Sequence, residues 1–178
     1  MSIYFHFVPF LGRTATLLLH QLNRNTSLSP AMSTKKAQSL PYSPQPKAGP
    51  RFERVVVIDG NTLDLFINET ILRAAAIAKT VTVASKAQHI LSELQNAERL
   101  SEVPELIFFD LEMEGMNGFD FLDQFSKLSD FIRNKCKLVV ITGSSSADDR
   151  QRALSNPSVV RYLRKPLDVF QLKEFLYN

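Results

Sequence analysis

Five short strand-like runs recur along the last two thirds of this 178-residue chain, and four of them are almost entirely apolar. They cover residues 55–58, 80–84, 106–109, 138–141 and 159–163. Runs of four or five apolar and β-branched residues are typical of strands buried on both faces of a sheet. The chain is therefore expected to build its core around five such strands.

The segments between these runs have apolar residues at helical spacing. Residues 62–78 are predicted as an amphipathic helix with Leu63 and Phe66 on its apolar face. Ser85 followed by Gln88 is a capping-box pattern that opens a second helix. Later helices are predicted at residues 118–125, at 148–154 and from a cap at Asp168 onward. Strict alternation of strand and helix implies an α/β doubly wound parallel sheet with helices on both faces.

Polar side chains follow four of the strands where each strand ends. They are Asp59, Asp110, Thr142 and Lys165. In a parallel sheet these ends lie at one edge, which is where ligands bind. A carboxylate can attack a phosphoryl donor if a divalent cation screens the charge, and Mg²⁺ uses one or two carboxylates with phosphate oxygens and water. A Lys ammonium and a hydroxyl can hold the remaining phosphoryl oxygens. The four residues therefore predict phosphoryl chemistry.

Four sequence blocks resemble the receiver domain of two-component response regulators, in its stand-alone, chemotaxis-regulator-like form. They are the strand ending in Asp59, the segment 109–118 with its Met-Asn-Gly, the strand ending in Thr142, and Tyr162-Leu-Arg-Lys-Pro. The resemblance covers residues 52–177 and implies a flavodoxin-like (βα)5 fold. It also implies signal transduction by a cytoplasmic phosphoprotein rather than enzymatic turnover of a substrate.

The resemblance implies a role for each matching residue. Asp110 would accept a phosphoryl group from a histidine kinase or a phosphotransfer protein. Mg²⁺ would be held by Asp59, Asp110 and the backbone carbonyl of Glu112. Lys165 would pair with the phosphoryl group, and its peptide bond to Pro166 would be cis.

The resemblance also implies a switch. Thr142 would move to the phosphoryl group, and the ring of Tyr162 would swing inward behind it. Phosphorylation would shift an equilibrium at the surface of the fourth predicted helix, the fifth strand and the last helix. Arg161 and Arg164 bracket that surface and suggest an acidic downstream protein target.

Two positions depart from the family pattern. Gly60 stands where a second acidic residue, the direct metal ligand, is expected, and Glu114 stands where Pro is usual. Either Mg²⁺ binding survives on the remaining ligands, or the chain is a degenerate receiver that binds partners without phosphorylation. A remote alternative is an Asp-nucleophile phosphatase of the haloacid-dehalogenase kind. That family needs a second Asp where Glu112 stands.

The basic character of the chain, with Lys+Arg 21 against Asp+Glu 18, comes from its first fifty residues. Residues 1–50 hold five basic residues, no acidic ones and six of the nine prolines, and are predicted to form a disordered extension. Residues 51–178 are predicted to form the receiver domain, and Met32 offers an alternative start. No apolar run is long enough for a membrane span. No DNA-binding output domain is expected, since the chain ends where the last helix closes.

Overall fold

The computed structural model describes residues 49–177, and these form a five-stranded parallel sheet in the order β2-β1-β3-β4-β5. The strands are β1 Phe52–Ile58, β2 Ala78–Ala84, β3 Leu106–Phe109, β4 Lys137–Thr142 and β5 Val159–Arg164. This order places β3 in the middle of the sheet. The predicted doubly wound parallel sheet is confirmed.

Within residues 49–177, six α-helices connect or follow the strands. They are α1 Thr62–Ala74, α2 Ala87–Gln95, α3 Gly118–Phe125, α4 Asp130–Lys135, α5 Ala147–Leu154 and α6 Val169–Tyr177. A single turn of 3-10 helix, Leu100–Glu102, precedes β3. The predicted alternation therefore holds, with the short helix α4 inserted between α3 and β4. Within the described residues, no helix has the length and apolar character needed to cross a membrane.

The sheet separates two hydrophobic cores because successive strand residues point to opposite faces. Val56, Ile107 and Phe109 belong to the core covered by α2, α3, α4 and α5. Val57 and Phe108 belong to the core covered by α1 and α6. Both faces of the central strands are therefore buried, which explains their nearly continuous apolar sequence.

Helix α1 differs from the predicted helix in both its length and its buried face. It ends at Ala74, and the left-handed backbone of Ala76, with φ 50°, turns the chain into β2. Leu63 and Phe66 are 64% and 66% exposed, whereas Leu65 and Leu72 face the core. The prediction was wrong for Leu63 and Phe66, although Ile71, which was predicted on the same face, does pack against the core. Two interleaved apolar stripes run along this helix, and Leu63 and Phe66 lie on the exposed one.

Side-chain caps fix the starts of several helices. Asn61 and Asn117 accept backbone N–H bonds at the starts of α1 and α3. Asp168 accepts N–H bonds from the first turn of α6, as predicted. The predicted capping box at Ser85 was wrong, since α2 begins after Lys86 without a side-chain cap. The predicted extension at residues 1–50 concerns residues that lie, apart from 49 and 50, outside those described.

Candidate functional site

Parallel pairing brings the predicted polar strand ends to one edge of the sheet. Ile58 pairs with Phe109, so Asp59 and Asp110 emerge side by side after β1 and β3. The backbone N–H of Lys165 donates to the carbonyl of Thr142 over 2.9 Å, which ties the end of β5 to the end of β4. The sheet register therefore assembles the residues that the sequence indicated.

The ammonium group of Lys165 lies between three carboxylates. Its Nζ is 2.7 Å from Oδ2 of Asp59, 2.7 Å from Oδ2 of Asp110 and 2.8 Å from Oδ2 of Asp64. One positive charge therefore faces three acidic groups. We call Asp59, Asp64, Asp110 and Lys165 the carboxylate–lysine cluster.

Burial sets the electrostatics of this cluster. Asp59 and Asp110 are 1% and 4% exposed, so their charges are largely withdrawn from water. Burial raises the pKa of Asp59, although hydrogen bonds from Lys165 and from the Asn61 backbone lower it in part. Burial also opposes the charge on Lys165, but hydrogen bonds to Asp110, Asp59 and Asp64 outweigh it and raise the pKa of the ammonium. Lys165 is therefore firmly protonated, and its ammonium is the cationic group that faces the three carboxyl groups.

The donor set of the cluster fits a magnesium ion. Mg²⁺ prefers oxygen ligands, commonly one or two carboxylates together with water. Among the described residues, Oδ1 of Asp110 is buried and has no hydrogen-bond partner, so one carboxylate oxygen is free for a further ligand. Within residues 49–177, no group of three or more acidic, His or Cys side chains is arranged so that it could hold a metal ion. This is consistent with the Lys165 ammonium standing between the carboxylates.

Glu112 and Gly60 complete the predicted metal side of the site. Glu112 lies in the loop after β3 with an exposed side chain, and forms no ion pair within the described part of the chain. A Cβ added at Gly60 would meet Glu114 N at 3.5 Å and Met113 Cα at 3.7 Å, which are ordinary contacts. The fold therefore does not require glycine at position 60.

The two predicted switch residues, Thr142 and Tyr162, lie on neighbouring strands near the same edge of the sheet. Thr142 is fully buried at the end of β4, and its Oγ1 accepts a hydrogen bond from the Ser144 N–H over 3.2 Å. Tyr162 lies within β5 with its ring buried in the core beneath α5, and burial raises the pKa of its hydroxyl. The Arg150 guanidinium stacks over this ring at 5.4 Å. The ring of Tyr162 is thus packed between the core and the Arg150 guanidinium.

Gly118 is where glycine is structurally required beside Asp110. A Cβ there would lie 2.6 Å from both the carbonyl oxygen of Asp110 and Cα of Leu111. The Gly118 N–H also donates to the Leu111 carbonyl over 2.9 Å. The Asn117-Gly118 pair thus lets the start of α3 pack directly on the backbone of the predicted phosphoacceptor.

The peptide bond from Lys165 to Pro166 is cis, as the resemblance implied.

Asp64 is the member of the cluster that sequence reasoning missed. It lies in a predicted helix, whereas the residues that the sequence indicated for the site all follow strand ends. A signal was present: Asn61 has the cap preference of a helix start, which puts Asp64 in the first turn beside the sheet edge.

The comparisons with known proteins agree with this geometry. The family model for the response regulator receiver domain matches residues 55–177. A response regulator receiver protein from Dyadobacter fermentans has 27% identity and a TM-score of 0.62, covering 70% of this chain and 94% of that one. A two component response regulator from Cytophaga hutchinsonii has 26% identity and a TM-score of 0.63, covering 71% and 95%.

A CheY-like receiver domain protein from Methanospirillum hungatei, at 24% identity and a TM-score of 0.56, covers 70% of this chain and 90% of that one and supports the fold alone. No curated protein matches this chain significantly. The family match extends over most of the chain and includes every residue of the carboxylate–lysine cluster. The chain belongs to the response regulator receiver domain family of two-component systems.

Proposed function

We propose that this chain is a phosphorelay receiver in which Asp110 accepts a phosphoryl group from a histidine kinase or a phosphotransfer protein. The observation that carries the proposal is the environment of Asp110. Its carboxylate is buried at the end of the central strand, with Oδ2 2.7 Å from the Lys165 ammonium and Oδ1 without a partner among the described residues. A carboxylate held in this way can act as a nucleophile toward phosphorus.

The proposed transfer breaks a phosphorus–nitrogen bond and makes a phosphorus–oxygen bond. A carboxylate oxygen of Asp110 attacks the phosphorus of a phosphohistidine, giving an aspartyl phosphate. The electron pair of the broken bond stays on the imidazole nitrogen, which takes up a proton. Lys165 neutralises charge on the phosphoryl oxygens. The Thr142 hydroxyl donates a hydrogen bond to one of the phosphoryl oxygens. Its own oxygen already accepts a hydrogen bond from the Ser144 N–H.

A bound Mg²⁺ would neutralise the negative charge that gathers as the phosphoryl oxygens approach the carboxylates. Asp59, Asp110 and the backbone carbonyl of Glu112 are the oxygen donors proposed to hold it. The chain is itself the phosphoacceptor in this proposal and turns over no separate substrate. A cytoplasmic location is part of the same proposal.

The output of the receiver is proposed to be altered binding of an acidic protein. A groove of about 290 Å³ runs between α5, β5 and α6. Its lining carries three arginines, Arg150, Arg161 and Arg164, against one acidic residue, Glu174. Because Arg150 stacks on the ring of Tyr162, a movement of that ring would displace a charged group of the groove. This contact supports the proposal that phosphorylation of Asp110 changes the position of a charged group at the surface of the groove.

The experiment that tests the proposal is Mg²⁺-dependent labelling by acetyl phosphate, detected by intact-protein mass. We expect one phosphoryl group on the unmutated chain and none on Asp110→Asn. Asp123→Asn is a matched control, because Asp123 is an exposed aspartate on α3 outside the cluster. Failure of the unmutated chain to label at millimolar Mg²⁺ would contradict the proposal.

The degenerate receiver is retained as the second candidate because position 60 has no carboxylate. Under this alternative the groove binds its partner without phosphorylation. Gly60→Asp separates the two candidates, since a Cβ at this position meets only ordinary contacts. If only the variant accepts the label, the natural chain is the degenerate receiver.

A further inference from the structure

Strand β5 lies at one end of the sheet, and its outer side has no strand partner within residues 49–177. Thr142 pairs with Arg164, and the Lys165 N–H donates to the Thr142 carbonyl. Successive residues of a strand direct their backbone groups to opposite sides. The N–H and C=O groups of Tyr162 and Arg164 therefore point away from β4. A sheet edge of this kind can take a further strand.

The side chain of Gln171 marks this outer side as an incomplete polar site. Its Nε2 donates to the carbonyl of Arg164 over 3.2 Å. Its Oε1 is buried and has no hydrogen-bond partner in the part of the chain that the structure describes. A buried acceptor without a partner is costly, and a backbone N–H of an added strand would satisfy it.

The two sides of the groove along β5 differ in their chemistry. On the α5 side, Arg164 shares a face of β5 with Tyr162, and the Arg150 guanidinium stacks over the ring of Tyr162. On the α6 side, Leu163 and Phe175 line the groove. A strand added along β5 would direct alternate side chains to these two sides. Its side chains facing α5 should be acidic, and those facing α6 should be apolar.

Charge decides between the possible occupants of this edge. The groove carries Arg150, Arg161 and Arg164 against Glu174. A second copy of this chain paired through β5 would bring the arginines of two strands together. Like charges opposite each other in a sheet destabilise it, whereas opposite charges stabilise it. The groove therefore favours an acidic segment of another protein over a second copy of this chain.

We propose that the acidic partner adds an extended strand to the outer edge of β5, with acidic and apolar side chains alternating along it. The inference deepens the proposed output of the receiver and rests on it for its biological meaning. A helical segment laid in the groove is the contrasting mode of binding. A helix satisfies its own backbone groups and would leave those of Tyr162 and Arg164 without partners.

The experiment is an NMR titration of the full chain with a peptide of about eight residues in which Glu and Val alternate. The backbone amide signals of Tyr162 and Arg164 should shift more than those of Arg161 and Leu163, whose N–H groups point to β4. Two further peptides carry N-methyl groups on all the Glu nitrogens or on all the Val nitrogens. One of these two should bind at least about tenfold more weakly, because it loses the N–H donors that face β5. The other should keep its affinity.

Protein variants test the charge pairing. Arg164→Glu is expected to weaken binding of the alternating peptide about tenfold, because an attractive cross-strand pair becomes a repulsive one. Arg152→Glu is the matched control, since Arg152 is an exposed arginine of α5 that stacks over Phe119 and does not line the groove. The control should bind the peptide as the unmutated chain does. Far-UV circular dichroism checks that each variant is folded.

The titration is repeated after acetyl phosphate labelling, so that the two proposals can fail separately. Strand addition is wrong if the two N-methylated peptides bind equally, or if the alternating peptide binds neither the labelled nor the unlabelled chain. In either case, labelling of Asp110 would still support the phosphorelay function. If one N-methylated peptide binds more weakly as expected but the chain accepts no label, strand addition stands and the phosphorelay proposal is wrong. Concentration-dependent shifts of the Tyr162 and Arg164 amides without peptide would identify a second copy as the occupant and overturn the inference.

Discussion

Replacing Lys165 by methionine tests whether the carboxylate–lysine cluster is held together as described. Methionine keeps much of the side-chain volume but removes the ammonium that contacts Asp59, Asp64 and Asp110 within 2.8 Å. Two of these carboxylates are almost fully buried, so neither can regain its lost interaction from water. Breaking a buried ion pair by removing one partner destabilises a protein by about 3 kcal/mol or more.

The assay is urea unfolding of the unmutated chain and the variant at neutral pH, followed by circular dichroism. With a denaturant slope of about 2 kcal/mol/M, the loss corresponds to a midpoint lower by roughly 1.5 M. Lys135→Met is the matched control, because the one ion pair of Lys135 within residues 49–177 is with Glu105, at 2.8 Å, and both side chains are partly exposed. Its expected cost is at most about 1 kcal/mol.

The pH dependence supplies a second check, and its sign follows from Asp59. The folded-state pKa of Asp59 is raised, so the folded chain holds this proton more tightly than the unfolded chain and loses stability as pH rises through that pKa. Lys165→Met removes a hydrogen bond that lowers this pKa, so the pKa should rise further. The stability deficit of the variant should therefore shrink on acidification. Equal midpoints for the two lysine variants, or a deficit that grows on acidification, would refute the reasoning.

Three further predictions concern neighbouring parts of the fold. Gly118→Ala is expected to lower the free energy of unfolding by about 1–3 kcal/mol in urea denaturation, because its Cβ would overlap the backbone of Asp110. Cys136 is fully buried and burial raises its pKa to about 12, so Ellman's reagent at mildly alkaline pH should leave the native thiol unmodified and react after unfolding. Tyr162→Ala is expected to leave acetyl phosphate labelling intact. It should abolish any label-dependent shift of the Arg150 guanidinium NMR signal, whereas loss of labelling would show that Tyr162 also supports the acceptor site.

Much of the fold could be predicted because the strands are short and doubly buried. Their apolar runs indicate buried strands rather than helices or loops. Because the strands alternate with helices, the sequence predicts a parallel sheet rather than an antiparallel one. Helix α3 matches its predicted bounds, Gly118–Phe125, because Asn117 and Gly118 mark its start. Helix α4 has only six residues, which is too short for periodicity to reveal, and it was missed.

The candidate site was predicted only in part. The contacts of Lys165 with Asp59 and Asp110 follow from the rule that parallel strands present their carboxyl ends at one edge. The contact with Asp64 depends on the exact rotation of α1, and that rotation was predicted wrongly because Leu63 and Phe66 were taken as buried. A helix whose apolar residues form two stripes cannot be oriented from sequence until its packing partner is known.

The central strand has a consequence for how the molecule can move. Phe108 and Phe109 are fully buried in opposite cores, and β3 is hydrogen-bonded to β1 on one side and β4 on the other. Shifting Asp110 along the sheet would require both cores to open at once, so the acceptor is fixed in place. Amide hydrogens of β3 should therefore exchange with solvent as slowly as global unfolding allows, with or without a phosphoryl group. Faster exchange on phosphorylation should be confined to residues 143–146, the connection between β4 and α5.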